Sequence, residues 1–215
     1  MSLTRLRREV AAAYAATDPR NANWRRDLAA AESSYAGVLR LRGSFREAGQ
    51  AYERAIAILR PIVEAAPDLA IRQRDLADAE LGLGLTYFER GELEAAAKRA
   101  DTVERVLAPL LARGDDREAT RRAADGRLLA ADVAARRGNA RAAEQLREAA
   151  LAVVVSGQEA NPEKRLLAVQ ARALLALHRT AEAGPIVERL ISLGYRHPTL
   201  IKLAQQNGLK VTVKG

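Results

Sequence analysis

The sequence predicts an all-α protein, organised as a superhelical solenoid of antiparallel helix pairs. The first observation behind this prediction is an internal repeat, because residues 43–63 return in altered form as residues 91–111. Gly43 aligns with Gly91, which sets the period at 48 residues (91 − 43 = 48). Self-similarity at a fixed period of about 20–50 residues is typical of repeat architectures.

The second observation is the spacing of apolar residues inside each copy. These residues follow one another at steps of three or four, which places their side chains on one face of an α-helix. The stripe of the first copy is Phe45, Ala48, Tyr52, Ala55, Leu59 and Val63, and that of the second is Leu93, Ala96, Ala100, Val103, Leu107 and Leu111.

The third observation is the composition. Apolar residues make up 48% of the 215 residues, whereas aromatic residues make up only 4%. An alanine-rich apolar set favours closely packed helices over a sheet, which prefers β-branched and aromatic residues. The chain has no cysteine, so a disulfide framework and thiolate chemistry are excluded.

The net charge of +8 comes mainly from arginine, which supplies 30 of the 35 basic residues. This charge is compatible with binding to nucleic acid, acidic protein or anionic lipid. Arginine is nevertheless spread along the whole chain and interleaved with acidic residues, whereas a nucleic-acid interface gathers it on one face. The spread favours the simpler interpretation, the arginine- and alanine-rich composition of a GC-rich genome.

The first predicted helix covers residues 1–17, with Ser2 as its N-cap and an end near Asp18-Pro19. Its position relative to the later pairs matches that of a second helix, so we interpret it as the remainder of an incomplete leading repeat. A natural N-terminal cap is the alternative. Its apolar stripe is Leu3, Leu6, Val10 and Tyr14.

The following helix pairs are separated by turn residues at constant phase. Asn21 or Asn23 is expected to cap the first pair, and Gly43 to reverse the chain within it through a positive φ. In the fourth pair His178 takes the place of the turn glycine. The predicted ranges are 23–66 for pair 1, 69–113 for pair 2, 116–159 for pair 3 with its turn at Gly138, 162–194 for pair 4 after Asn161-Pro162, 197–207 for a capping helix and 208–215 for a tail.

Pro61 and Pro109 fall late in the second helices of the first two pairs, in the same register (109 − 61 = 48). An interior proline removes one helical hydrogen bond. The sequence therefore predicts either a shared bend or an irregular last turn. Gly82 and Gly84, inside a first helix with no preceding strand, are interpreted as close-packing positions between helices rather than as a phosphate loop.

The turn pattern Gly-x-Phe/Leu/Ala-x-x-Ala resembles the tetratricopeptide repeat, in an extended form. The segment 18–28, in which Asp-Pro precedes a helix that begins with tryptophan, is similar to arrays attached to bacterial signalling proteins such as serine/threonine kinases. The resemblance implies a right-handed solenoid whose first helices line a concave groove. The pattern occurs as Gly43, Phe45, Ala48; as Gly91, Leu93, Ala96; and as Gly138, Ala140, Ala143.

What the resemblance implies for function is a groove that binds an extended peptide or a partner helix. Tetratricopeptide grooves that grip a C-terminal carboxylate use Lys and Asn at positions where Ser33, Gly37 and Asp125 stand here, so we do not expect chaperone-tail binding. The expected groove residues are Ser33, Arg40, Asp78, Leu85, Phe88, Asp125, Leu128, Asp132, Arg165 and Arg172.

No set of residues in the sequence forms a catalytic or metal-binding pattern. The two histidines, His178 and His197, fall at predicted turns without ligand spacing. We therefore expect no enzyme activity, no cofactor and no metal. Nor is there an apolar run of about 18 residues, so no membrane span is expected.

The function predicted from the sequence is a protein-interaction scaffold, part of a larger bacterial signalling protein. We expect it in the cytoplasm, or in the periplasm if that parent protein is membrane-anchored. Two alternatives stay open: an arginine-rich module for nucleic acid or another anionic surface, and a module for homodimerisation.

Overall fold

The computed structural model describes residues 3–156 and 163–211. Within these ranges every regular element is an α-helix, and no strand occurs. The all-α prediction is confirmed. The helices are α1 (Leu3–Thr17), α2 (Ala22–Leu41), α3 (Phe45–Glu64), α4 (Ala70–Glu89), α5 (Leu93–Arg113), α6 (Arg117–Arg136), α7 (Ala140–Ser156), α8 (Lys164–Ala176), α9 (Thr180–Ser192) and α10 (Pro198–Gln206).

Each predicted pair corresponds to two of these helices. We call α2, α4, α6 and α8 the first helices, and α3, α5, α7 and α9 the second helices. Asn21 is the N-cap of α2, where its side chain accepts hydrogen bonds from the backbone of Asn23 and Trp24. Asp116 caps α6 in the same way, by accepting from Ala119 at 2.8 Å. Ser2 and the predicted opening of the fourth pair at 161–162 lie outside the described residues, as do residues 157–159 of pair 3.

The turn inside each pair is built on one residue with positive φ. Gly43 has φ of +79°, and behind it the backbone N–H of Ser44 donates to Leu39 at 3.0 Å. This six-residue closure is the Schellman motif, which satisfies carbonyl groups left open at a helix C-terminus. It recurs at Gly91 and Gly138, and at His178, which adopts φ of +57°.

The helices continue through the late prolines. Beyond Pro61, α3 runs on to Glu64, and the carbonyl of Pro61 accepts a hydrogen bond from the backbone of Ala65 at 3.1 Å. Likewise α5 includes Pro109 and ends only at Arg113. The last turn of α3 therefore keeps its helical hydrogen bonding.

The chain divides into two compact units, Met1–Ala112 and Arg113–Gly215. The division coincides with the junction between the second and third pairs. In both units successive helices pack against their neighbours along the chain, as in a helical repeat solenoid.

Unit 1 has its core between the first helices α2 and α4 and the second helix α3. Small side chains allow these helices to approach closely, which is the packing that an alanine-rich sequence favours. In contrast, α1 has no buried residue, and it packs on α2, where the ring centroids of Tyr14 and Trp24 lie 6.0 Å apart. The core residues are Ala29, Ala36, Ala51, Tyr52, Ala55, Ile56, Leu59, Leu76, Ala79 and Leu83.

Unit 2 has its core around α8, which supplies nearly half of the buried residues. The second helix α9 and the predicted capping helix α10 both pack on α8, and α10 contributes Leu200 and Ala204. Residues 212–215 of the predicted tail lie outside the described part of the chain.

Candidate functional site

Side chains of successive first helices meet directly within each unit. In unit 1 the Nε atom of Arg26 on α2 donates to Oδ2 of Asp75 on α4, at 2.5 Å. In unit 2 the Nη1 atom of Arg172 on α8 donates to Oδ1 of Asp125 on α6, at 2.6 Å. These contacts join residues about one repeat apart, so the surface of the first helices is shared between neighbouring pairs.

In unit 1 the structure places the predicted groove residues on α2 and α4, all of them partly exposed. Arg40 and Asp78 both act electrostatically on Tyr52, a residue of α3, and Arg40 also hydrogen-bonds its hydroxyl group. The pKa of Tyr52 is raised overall, mainly by burial and further by the Asp78 carboxylate, whereas the Arg40 guanidinium lowers it. The partly exposed residues beside this cluster are Ser33, Leu85 and Phe88.

In unit 2 the predicted residues Asp125, Arg165 and Arg172 line one open cavity of about 460 Å³. The cavity lies between α6, α8 and the start of α10. Its apolar base consists of Ala168, Val169 and Leu200, each no more than 3% exposed. We call this cavity the arginine cavity. The residues of its polar wall are Arg121, Asp125, Arg165, Arg172, Tyr195 and His197.

Asp125 holds two of the three arginines in place. One carboxylate oxygen accepts from Arg172 at 2.6 Å, and the other accepts from Arg121 at 2.9 Å. Its side chain is only 12% exposed, so both hydrogen bonds are shielded from solvent. The arrangement orders both guanidinium groups, and Arg121 donates from each of its three side-chain nitrogen atoms, to Asp125 and to Glu118.

The pKa of Tyr195 responds to all four charged groups of the cavity. It is raised overall, mainly by burial and further by the Asp125 carboxylate, whereas the guanidinium groups of Arg172, Arg121 and Arg165 lower it. Its ring stacks near that of His197, with centroids 6.4 Å apart. An aromatic face thus stands beside the arginines at the mouth of the cavity.

Arg165 differs from the other arginines of the cavity. It is exposed, in the first turn of α8, and within residues 3–156 and 163–211 it makes neither a hydrogen bond nor an ion pair. Asp125 is the one carboxylate that lines the cavity, and Arg121 is also paired with Glu118, so the excess positive charge of the cavity comes from Arg165 and Arg172.

Two predicted groove residues do not line this cavity. Leu128 is 4% exposed and belongs to the core of unit 2, because its side chain points from α6 towards α7 and α8. It cannot contact a partner at the surface and is therefore not part of the site.

The side chain of Asp132 is 48% exposed, and its Oδ1 lies 3.9 Å from Nη2 of Arg147. Burial raises the pKa of Asp132, against the opposing effects of Arg172, Arg147 and Arg136.

The sequence analysis missed Arg121 and Tyr195. Arg121 lies one helical turn before Asp125, and that i, i+4 spacing was a signal for their pairing. Tyr195 had no such signal, because its position depends on how the segment after α9 folds back against α8. Glu32 and Glu80, two buried carboxylates one period apart (80 − 32 = 48), were likewise not predicted.

A second cleft, of about 340 Å³, opens between α3 and α5 in unit 1, beside Arg60 and Arg99. Both arginines donate to the buried carboxylate of Glu80, at 3.0 Å and 2.9 Å. Glu80 offsets part of their charge, and for that reason this cleft is a weaker candidate for a ligand than the arginine cavity.

In the described part of the chain, no group of three or more His, Asp or Glu side chains is arranged to hold a metal ion. No helix there has the length and apolar character needed to cross a bilayer. Comparison of the chain with protein-family models gave no match, and comparison with curated protein sequences gave none either. The tetratricopeptide resemblance therefore remains a prediction from the repeat pattern.

Proposed function

We propose that this chain is a non-catalytic, tetratricopeptide-like scaffold that binds a peptide or a partner helix on the surface of its first helices. The observation that carries the proposal is the arginine cavity. There, side chains of two neighbouring first helices meet at Asp125 and Arg172 and surround open space. Apolar anchoring combined with charged groups that orient a ligand is typical of peptide recognition.

The first-helix surface of unit 1 supports the same proposal. Arg40 and Asp78 present opposite charges around Tyr52, with the partly exposed Leu85 and Phe88 on the same helix as Asp78. Peptides offer both hydrogen-bond donors and acceptors, and such mixed surfaces bind them through both. The role within a larger bacterial signalling protein is proposed from the sequence resemblance alone.

The test is a selection of short peptides from a random display library on the immobilised full chain, followed by binding measurements in solution. Saturable binding is expected, and it should weaken in the variants Asp78→Lys or Arg172→Ser. Substitution of Glu104, on the second helix α5, should leave it unchanged. A selection that yields no saturable ligand, or ligands indifferent to all first-helix variants, contradicts the proposal.

Self-association is a second candidate, favoured by one specific observation. The apolar stripe of α1 is exposed, with Leu3 at 85%, Tyr14 at 59%, Leu6 at 49% and Val10 at 47%. If this stripe packs against a second copy of the chain, its apolar area is removed from water, which favours a dimer. Sedimentation should then show a dimer that the double variant Leu6→Gln, Val10→Gln converts to monomer, whereas a monomer at all concentrations excludes this candidate.

A further inference from the structure

We infer that the arginine cavity binds an acidic protein segment, with Arg165 and Arg172 binding its carboxylates and Tyr195 contacting the neighbouring side chain. The inference rests on the proposed function and names the chemistry of the partner at the same site. Three features support it: the positive charge of the cavity, the ordering of Arg172 by Asp125, and the apolar base that lies beside the charged side chains.

Charge complementarity comes first. Of the three guanidinium groups that line the cavity, Arg121 is paired with both Asp125 and Glu118, and the Asp125 carboxylate is hydrogen-bonded on both oxygens. The unbalanced positive charge of the cavity is therefore that of Arg165 and Arg172. Arg165 has no acidic partner among the described residues. A carboxylate of the ligand would supply the missing negative charge, and arginine matches a carboxylate with two parallel hydrogen bonds.

Arg172 is held in place before a ligand binds. Among the described residues it donates through Nη1 alone, to Asp125, so its other donors remain for a ligand. Since Asp125 is itself held by Arg121, the Arg172 side chain loses little conformational freedom on binding. Asp125 is thus a positioning residue, and Arg172 and Arg165 are the ligand-binding residues.

The third argument distinguishes a protein segment from nucleic acid. The phosphodiester backbone offers charged and polar acceptors to the arginines, but it carries no aliphatic side chain that could pack on an apolar surface. The apolar base of Ala168, Val169 and Leu200 suits an aliphatic side chain next to the acidic one.

The probes are fluorescein-labelled short peptides in which Glu or Asp residues flank a Leu, and matched peptides with Gln or Asn in place of the acids. Fluorescence anisotropy with the full chain should show saturable binding of the acidic set only. Arg165→Ser and Arg172→Ser should each raise Kd about tenfold, the loss expected for one charged hydrogen-bonding group. Asp125→Asn should also raise Kd, by releasing Arg172.

Arg141→Ser is the matched control. Arg141 is exposed on α7, outside the cavity, and its substitution changes the net charge by the same amount. Its Kd should stay within about twofold of the wild-type value at physiological salt, since a single exposed charge acts weakly at a distance. Equal losses for Arg141→Ser and Arg165→Ser would overturn the inference, because binding would then follow overall charge.

A charge exchange makes the test independent of folding defects. Arg165→Glu removes an exposed side chain that has no hydrogen bond or ion pair with the described residues, so the fold should persist, as circular dichroism can verify. This variant should lose the acidic peptides and gain peptides with Lys in place of Glu. Failure to gain them, or displacement of the acidic peptide from the wild-type cavity by a single-stranded oligonucleotide of higher affinity, overturns the inference.

The outcome also separates this inference from the proposed function. Library ligands that bind the first helices but carry no acidic residues would leave the scaffold proposal intact and refute the acidic partner. A chain that binds no peptide at all would refute both.

Discussion

The ring of Tyr52 lies against the backbone of Gly82, so closely that a Cβ atom at Gly82 would be 2.3 Å from ring carbon Cε1. Tyr52 belongs to α3 and Gly82 to α4, both buried in the core of unit 1. Only glycine permits this approach, because the atom in the way belongs to a rigid ring and not to a flexible chain end.

Substitution of Gly82 by alanine is therefore expected to destabilise the protein, by about 2 kcal/mol or more, through overpacking against Tyr52. Gly37→Ala is the matched control. A Cβ there would meet the hydroxyl of the same tyrosine at 3.5 Å, an ordinary contact. Since alanine is the better helix former, Gly37→Ala should be neutral or stabilise by up to about 1 kcal/mol. Urea denaturation measures both, and equal effects would contradict the close contact.

Glu80 is fully buried on α4, where it accepts hydrogen bonds from Arg60 and Arg99. The Glu80→Gln variant keeps the shape but leaves two guanidinium groups without their counter-charge. We expect a loss of about 3 kcal/mol in the free energy of unfolding, the lower end of the range for breaking a buried ion pair from one side, because both arginines are partly exposed. Glu89→Gln, an exposed position on the same helix, should change it by less than about 0.5 kcal/mol. Comparable losses at Glu80 and Glu89 would show that the burial of Glu80 is energetically unimportant.

His178 adopts φ of +57° at the position where the earlier pairs have glycine. A side chain with Cβ is strained in this region by about 1 kcal/mol, whereas glycine is not. His178→Gly should accordingly raise the free energy of unfolding. The gain should not exceed about 1 kcal/mol, because glycine has greater freedom in the unfolded chain and this offsets part of the relief of strain. Gly138→Ala should lower it by a similar amount, although a Cβ there meets no atom within 4 Å. Changes of the same sign in the two variants would contradict a purely conformational effect.

The helices and turns of this protein could be predicted because their signals are local. A glycine directly after a helix end adopts a positive φ without steric cost, and the structure has this conformation at Gly43, Gly91 and Gly138. The apolar stripes likewise predict which face of a second helix is buried: Tyr52 and Leu59, for example, are 6% and 2% exposed.

The site could be predicted only in part, because it depends on packing between helices. Asp125 and Leu128 are three residues apart on α6, at the edge of its apolar face, where spacing alone cannot decide which is exposed. In the structure Leu128 is buried among the side chains of α7 and α8, whereas Asp125 accepts a hydrogen bond from Arg172. Tyr195 lines the cavity because the chain after α9 returns towards α8. This is a tertiary contact, and no local sequence pattern predicts it.

The Glu118 carboxylate gives the stability of unit 2 a predictable pH dependence. It lies in the first turn of α6, where it accepts hydrogen bonds from Arg121 and Arg122. Partial burial on its own raises the pKa of Glu118, but the two guanidinium groups outweigh that effect and hold the pKa below its usual value of 4.5. Because the pKa is lower in the folded state, the folded state binds fewer protons, and the carboxylate contributes stability that is fully present above pH 4.5.

The difference in unfolding free energy between the wild type and Glu118→Gln should thus be constant from neutral pH down to about 4.5 and then shrink as the pH falls through the folded-state pKa. At neutral pH it should favour the wild type by about 0.5–1 kcal/mol, the range for helix pairs at i, i+3 and i, i+4. Urea titrations of both proteins across this pH range measure it. A difference that persists unchanged in acid would mean that Glu118 stabilises α6 by its shape or its neutral hydrogen bonds, since protonation removes only the attraction between its charge and the two arginines.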